Sequence, residues 1–263
     1  VRIALRGQKV TVVAPSGLVR ALTAAASALE ASADELNRLD GFAGDGDLGI
    51  TMSEASRALK DVLAANQDMG GGPLLSACGA AIARKAPSTS GTLVATGFLR
   101  AAKAVTGTAV TGTAVTGTAG TEAGGTEAGG TEAGGTEAGG TDAGGTGVEA
   151  LERAFAAATL GIQARGKAAP GDRTLVDGLD AVCTSLRESL AAGHTLTDAL
   201  HFAAAAASAA ADRTVGMEPK VGRASWVPQR AIGHPDAGCA MLAIAMQAAA
   251  AEITAGGTTP AGG

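Results

Sequence analysis

Between Thr106 and Gly145 the sequence repeats every five residues, and this array limits what the rest of the chain can fold into. The units read Thr-Gly-Thr-Ala-Val twice, Thr-Gly-Thr-Ala-Gly once, Thr-Glu-Ala-Gly-Gly four times and Thr-Asp-Ala-Gly-Gly once. Apart from Val110 and Val115 the array has no large apolar side chain, and its glycines raise the entropic cost of ordering it. Five is not a usual solenoid period and no apolar face recurs, so disorder is expected here rather than a repeat fold. Any core must therefore come from the two flanks. Both show the same helical composition, which makes the array a surface-loop insertion within one domain. Loop-closure entropy grows only slowly with length, so such an insertion is tolerable.

Both flanks show helical periodicity. Leu18, Leu22, Ala25, Leu29 and Leu36 mark one helix running from Pro15-Ser16 to the Asp40–Gly49 loop, and Met52, Ala55, Leu59 and Leu63 mark a second. Gly70-Gly71-Gly72-Pro73 precedes a third helix over Leu74 to Ala86, and Pro87 to Gly91 opens a fourth that reaches Val105. Beyond the array, helices are expected over Val148 to Ala164, Leu175 to Ala192, Leu196 to Thr214 and Gly238 to Ile253. Thr195 should cap the Leu196 helix, with Asp198 three residues on. Val10 to Val13 is the one strand-like run and fits either a short edge strand or an ordered arm. The expectation is an all-α chain of about eight helices. Aromatic residues are 2% of the chain, so its core must be built from Ala, Leu, Val and Ile. Small side chains let helices approach closely but bury little area each, and many helices are needed.

Charge and cysteine usage narrow the function. The formal net charge is -5, but Glu122, Glu127, Glu132, Glu137 and Asp142 all lie in the array, which has no Lys or Arg. Without them 20 acidic residues face 20 basic ones, which argues against a basic nucleic-acid surface. Cys78, Cys183 and Cys239 are widely spaced with no C-x-x-C, and read as small buried apolar residues in a reducing compartment. The N-terminus lacks a signal-peptide pattern, and the apolar run near Ala237 to Ala251 reads as too short for a span of about 20 residues. A soluble, cytoplasmic location is expected, with no membrane partner.

The chemistry concentrates at Asp40 and Gly44-Asp45-Gly46-Asp47-Leu48-Gly49. Carboxylates held this close either take up protons or bind a cation, and Mg²⁺ prefers such an all-oxygen setting completed by water and phosphate. A solvated acidic turn is the competing reading. An EF-hand is not, because its fifth and twelfth positions would be Gly49 and Ser56. Gly161 to Ala168 imitates a P-loop but follows a helix and has Ala168 where the metal-binding hydroxyl belongs. Ser88-Thr89-Ser90-Gly91 offers three hydroxyls at a helix start, of which N-capping uses one; the others suit a phosphate. Gly222 to Ser225 and Gly233 to Gly238 bracket Trp226 in the longest non-repetitive loop. On base rates Arg223 is a surface ion-pair residue and His234 a neutral structural histidine.

Taken in order, G-D-G-D-x-G, T-S-G, G-K-A-x-x-G-D-[KR]-T, G-R-A-S and G-H-x-D-x-G match Gly44–Gly49, Thr89–Gly91, Gly166–Thr174, Gly222–Ser225 and Gly233–Gly238. This set resembles the nucleotide-binding L subunit of dihydroxyacetone (glycerone) kinases, from about Pro15 to Ala251 with the array as an interruption. The resemblance implies an eight-helix antiparallel barrel, into which the array would be a disordered loop insertion. The expected division is an arm at 1–14, a nucleotide-binding domain at 15–253 interrupted by the repeats at 106–147, and a flexible tail at 254–263. The resemblance also implies that Asp40, Asp45 and Asp47 hold two Mg²⁺ ions against the phosphates of ATP or ADP. Leu48, Gly49, Ile50, Thr51, Thr89, Ser90, Gly166, Leu175, Arg223, Asp236, Ala237 and Gly238 would surround the nucleotide, and no residue is assigned as a general base. A K-type partner subunit would hold the ketose, with free ATP or a phosphotransferase-system protein as phosphoryl source. The chain departs from the pattern at Leu48, where many members have His or Cys, and at Ile50, where a polar residue is common. Two other readings accompany this one: a non-catalytic nucleotide-binding regulator, and the nucleotide domain of a fatty-acid kinase-like system.

Overall fold

The computed structural model of the protein describes residues 16–106 and 147–257. The array beyond Thr106, the arm at 1–14 and residues 258–263 lie outside the described residues. Among those described there are ten α-helices, one 3-10 turn and no strand, so the chain is all-α as expected. The helices are α1 Gly17–Ala31, α2 Ala33–Asp40, α3 Leu48–Ala65, α4 Gly71–Lys85 and α5 Thr89–Thr106 before the array. After it come α6 Gly147–Gly166, α7 Leu175–Ala192, α8 Leu196–Thr214, α9 Pro228–Ala231 and α10 Ala237–Gly257. The 3-10 turn spans Arg223–Trp226.

Local signals set most boundaries. The Ser16 hydroxyl accepts the Val19 N–H to start α1, and the Thr195 hydroxyl accepts the Asp198 N–H to start α8. Thr174 and Asp177 form a reciprocal capping box on α7, which ends at Gly193 in the left-handed conformation. Three expectations are corrected. First, the helix expected from Leu18 through Leu36 is broken at Ser32, where α2 turns away from α1. The break is invisible to periodicity because the Leu36 N–H still bonds the Ser32 carbonyl, so the seven-residue step from Leu29 to Leu36 survives it. Second, α4 begins inside the glycine run, with Pro73 within its first turn, where a missing N–H costs nothing. Third, α10 extends to Gly257, past the expected start of a flexible tail. Its stretch Ala237–Ala255 is, by length and composition, long and apolar enough to cross a membrane. Here it packs against α1, α7 and α8.

The eight long helices form a closed ring. In chain order α1, α3, α4, α5, α6, α7, α8 and α10 each pack on the next, and α10 returns to α1. The starts of α3, α5, α7 and α10, every second member of the ring, meet around one cavity, so neighbouring helices run in opposite directions. The core has two main parts. One joins α6, α7, α8 and α10 through Ile162, Val182, Leu186 and Leu242; the other joins α1, α3, α4 and α5 through Leu59, Leu63, Leu74 and Ile82. On α8 the buried stripe is Ala199, Ala203, Ala204, Ala207, Ala210 and Ala211, the close-approach packing that an aromatic-poor chain requires. A third cluster of Leu36, Leu48, Met52 and Met241 fastens α2 beneath the acidic loop.

Candidate functional site

The acidic loop takes its shape from close backbone approaches. A Cβ at Gly44 would lie 2.3 Å from Asp40 Oδ1, and Gly46 has φ +77. Glycine is therefore required at the first and favoured at the second. The loop folds back over Asp40, whose Oδ2 accepts N–H bonds from Gly46 at 2.8 Å and Asp47 at 3.2 Å. Asn37 fixes the far side: its Oδ1 accepts from the Gly49 N–H at 2.7 Å and the Ile50 N–H at 3.2 Å. The carboxylates of Asp40, Asp45 and Asp47 thereby offer oxygens that all lie within 4.8 Å of one another.

Electrostatics separates these acids. Asp40 is half-buried, and loss of water raises its pKa against the two N–H bonds that favour its ionised form. The Arg223 guanidinium pairs with Asp45 and lowers its pKa. One cation facing three carboxylates leaves negative charge uncompensated. Hard oxygen donors this close together fit a hard divalent ion such as Mg²⁺.

Around the carboxylates lies a cavity of about 800 Å³, in the range of small-molecule sites. Its wall includes Asp47 before α3, Ser88, Thr89 and Ser90 at α5, Thr174 before α7, and Asp236 and Ala237 at α10. Four helix N-termini thus turn the positive ends of their dipoles toward one space. A wall that is electropositive at its helix ends and electronegative at its aspartates suits a metal together with the anion the metal bridges.

Of the residues expected to bind nucleotide, Thr89, Ser90, Arg223, Asp236 and Ala237 line the cavity with the three aspartates. The others stand behind or beside its wall. Leu48 is buried against Leu36, Met52 and Met241. Gly49 lies so close to α2 that a Cβ would sit 1.8 Å from the Ala33 carbonyl oxygen, and Asn37 occupies the N–H groups of Gly49 and Ile50. The Ile50 side chain is exposed. Buried Thr51 donates to the Ser88 hydroxyl, which in turn accepts the Gly91 N–H as the cap of α5. Gly166 ends α6 near Leu93, while Leu175 packs on Gly238. The P-loop imitation is the last turns of α6.

Several wall residues were not singled out from sequence. Arg173, 4% exposed with φ +60, donates to the carbonyls of Thr214 at 3.1 Å, Ala231 at 2.7 Å and His234 at 2.8 Å. It thereby ties the end of α8 and the loop before α10 to the start of α7. Phe42 stacks face to face on His234, with ring centroids 3.4 Å apart, and Arg230 donates to the Gly41 carbonyl, joining the two loops across the cavity mouth. Trp226 lines the same wall with 78% of its surface exposed. The signals available in advance were the place of Arg173 as the [KR] of the Gly166–Thr174 motif and the capping pair Thr174 and Asp177, which puts residue 173 at the head of a helix. Asp236 is partly covered at the surface but surrounded by protein, and desolvation raises its pKa to about 6. The three cysteines are buried and free, and burial raises all three thiols, Cys78 to about 11, so none is an activated nucleophile.

The DAK2 domain model matches residues 42–134 and 132–251, which together contain Gly44–Gly49 and every cavity-lining helix start. The D-erythrulose kinase of Mycolicibacterium smegmatis is 32% identical over 239 residues, covering 90% of this chain and 35% of that protein. The ADP-binding subunit DhaL of the PEP-dependent dihydroxyacetone kinase of Escherichia coli is 29% identical over 230 residues, covering 88% of this chain and 93% of the subunit. The chain thus spans about a third of the erythrulose kinase and nearly all of the E. coli subunit. In fold it is similar to the dihydroxyacetone kinase of C. freundii crystallised with AMP-PNP and Mg²⁺, at a TM-score of 0.59 and 24% identity over 95% of this chain and 37% of that one. On its sequence, its fold and its shared segments, the chain belongs to the DAK2 domain family, with kinases among its relatives.

Proposed function

We propose that the protein is the nucleotide-binding, phosphoryl-transferring part of a dihydroxyacetone-type kinase, acting on a small ketose held by a K-type partner subunit. One observation carries this reading: three mutually repelling carboxylates face four converging helix N-termini across one cavity. Arg223 offsets one of the three carboxylates and side chains cap the helix starts, yet net negative charge remains at the aspartates, and a Mg²⁺-nucleotide complex would balance it. Bound Mg²⁺ would supply Lewis-acid stabilisation of charge on the transferred phosphoryl group. Asp40, Asp45 and Asp47 would hold up to two such ions, and Thr89, Ser90, Arg223 and Asp236 to Gly238 would surround the nucleotide. The resemblance adds Leu48 to Thr51, Gly166 and Leu175 to that shell.

The chain's own contribution is positioning. The Asp40 carboxylate is fixed by the Gly46 and Asp47 N–H groups, so its second oxygen has a defined direction. Arg223 pairs with Asp45 and is well placed to exchange that partner for phosphate oxygen when the carboxylate turns to a metal. Phosphoryl transfer depends mainly on such placement and on charge stabilisation, and no general base is assigned. The donor is either Mg-ATP or a bound nucleotide rephosphorylated by a phosphotransferase-system protein. The test is phosphorylation of dihydroxyacetone and of erythrulose by the full chain mixed with a K-type subunit and Mg²⁺, with each donor in turn. Turnover with one donor is expected. No turnover with either, from folded protein that binds the partner, would sink the reading.

A further inference from the structure

Arg173 is a buried cation whose charge is felt by Asp236 across the cavity wall without a direct ion pair between them. The side chain is buried, and its Nε and Nη2 are spent on the three neutral carbonyls of Thr214, Ala231 and His234. Among the described residues Nη1 has no acceptor, and no carboxylate forms an ion pair with this guanidinium. A buried cation hydrogen-bonded only to neutral carbonyls, with Asp236 acting on it from a distance, has room for a further anion at its free nitrogen. Arg173 nevertheless lines the cavity wall, and Nη1 is the guanidinium nitrogen left to meet a ligand there. The same wall carries Thr174 at the head of α7, so a helix N-terminus and a guanidinium face the cavity from adjacent residues. The positive φ of Arg173 is a conformation that L side chains rarely adopt, and here three hydrogen bonds from separate segments hold it.

We propose that Arg173 is a second phosphate-binding cation of this cavity, with the two Nη1 N–H groups donating to an oxygen of the anionic ligand while the rest of the guanidinium fixes the wall. This rests on the nucleotide reading above and adds a residue to it. Arg223 is exposed and committed to Asp45 in the absence of ligand, whereas Arg173 is already locked in place. Arg173 thus supplies preorganised charge and Arg223 charge that must be redirected.

The test uses the full chain with three probes by calorimetry or spin resonance: Mg-ADP, inorganic pyrophosphate with Mg²⁺, and Mn²⁺ alone. Arg173→Met should weaken Mg-ADP and Mg-pyrophosphate by a similar factor of about 10 to 100, the loss typical of a charged hydrogen bond. Mn²⁺ binding at the aspartates should stay unchanged. Arg173→Lys should fall between wild type and Arg173→Met, and it decides the matter alone if the Met variant does not fold. Wild-type pyrophosphate affinity in either variant would overturn the proposal. So would a parallel loss of Mn²⁺ binding, which would mean that Arg173 only braces the wall. Failure of the wild-type chain to bind Mg-ADP would count against the nucleotide reading itself, which separates the two outcomes.

Discussion

Asp236 shows how one residue can work against the fold for the sake of a site. Its carboxyl has a pKa near 6, against 3.8 for a free side chain, because the surrounding protein removes water from it. The folded state therefore binds this proton more tightly than the unfolded chain does. The stabilisation is fully present below about pH 4, and it is lost as pH rises through about 6. Asp236→Asn keeps an acceptor for the Cys239 N–H but carries no titrating proton. The variant should show a flatter dependence of urea midpoint on pH between 4.5 and 6.5. Equal slopes in the two proteins would mean that Asp236 titrates normally. Gly44 illustrates the opposite bargain: it contributes no chemistry, yet no other residue allows Asp40 to lie under the loop.

At the scale of elements, the short helix α2 is the part that makes the acidic loop rigid. Leu36 anchors it in the core, Asn37 caps the first turn of α3 and Asp40 ends it at the cavity. Asn37→Ala would leave the Gly49 and Ile50 N–H groups without their acceptor, and should cost about 1–2 kcal/mol by chemical denaturation. An unchanged midpoint would show that water replaces the cap at no loss. The origin of α2 also shows what sequence could and could not reveal. The caps at Thr195 and the bounds of α7 and α8 were legible because they depend on neighbours within a few residues. The break at Ser32 was not, since the leucine spacing continues across it. The aspartates were legible because three lie within eight residues between glycines. Asn37 was not, and Arg173 stood only as a motif position without a role, because each acts on backbone groups 12 to 61 positions away that only the ring brings near.

On the scale of the molecule, a ring of alternating helices places every second N-terminus at one end. Four helix dipoles then converge without any basic cluster in the sequence, in a chain that is neutral apart from its array. The fold supplies diffuse positive potential and the Asp40–Asp47 loop a compact negative charge. The account's central claim is that these two halves are one site, completed by Mg²⁺ and a nucleotide. Calorimetric titration of ADP into the full chain, with Mg²⁺ and with a chelator, and into Asp45→Asn, tests it most directly. The account predicts binding that requires Mg²⁺ and is lost in Asp45→Asn while helicity is unchanged. Equal affinity with and without Mg²⁺, or undiminished binding in the variant, would contradict it.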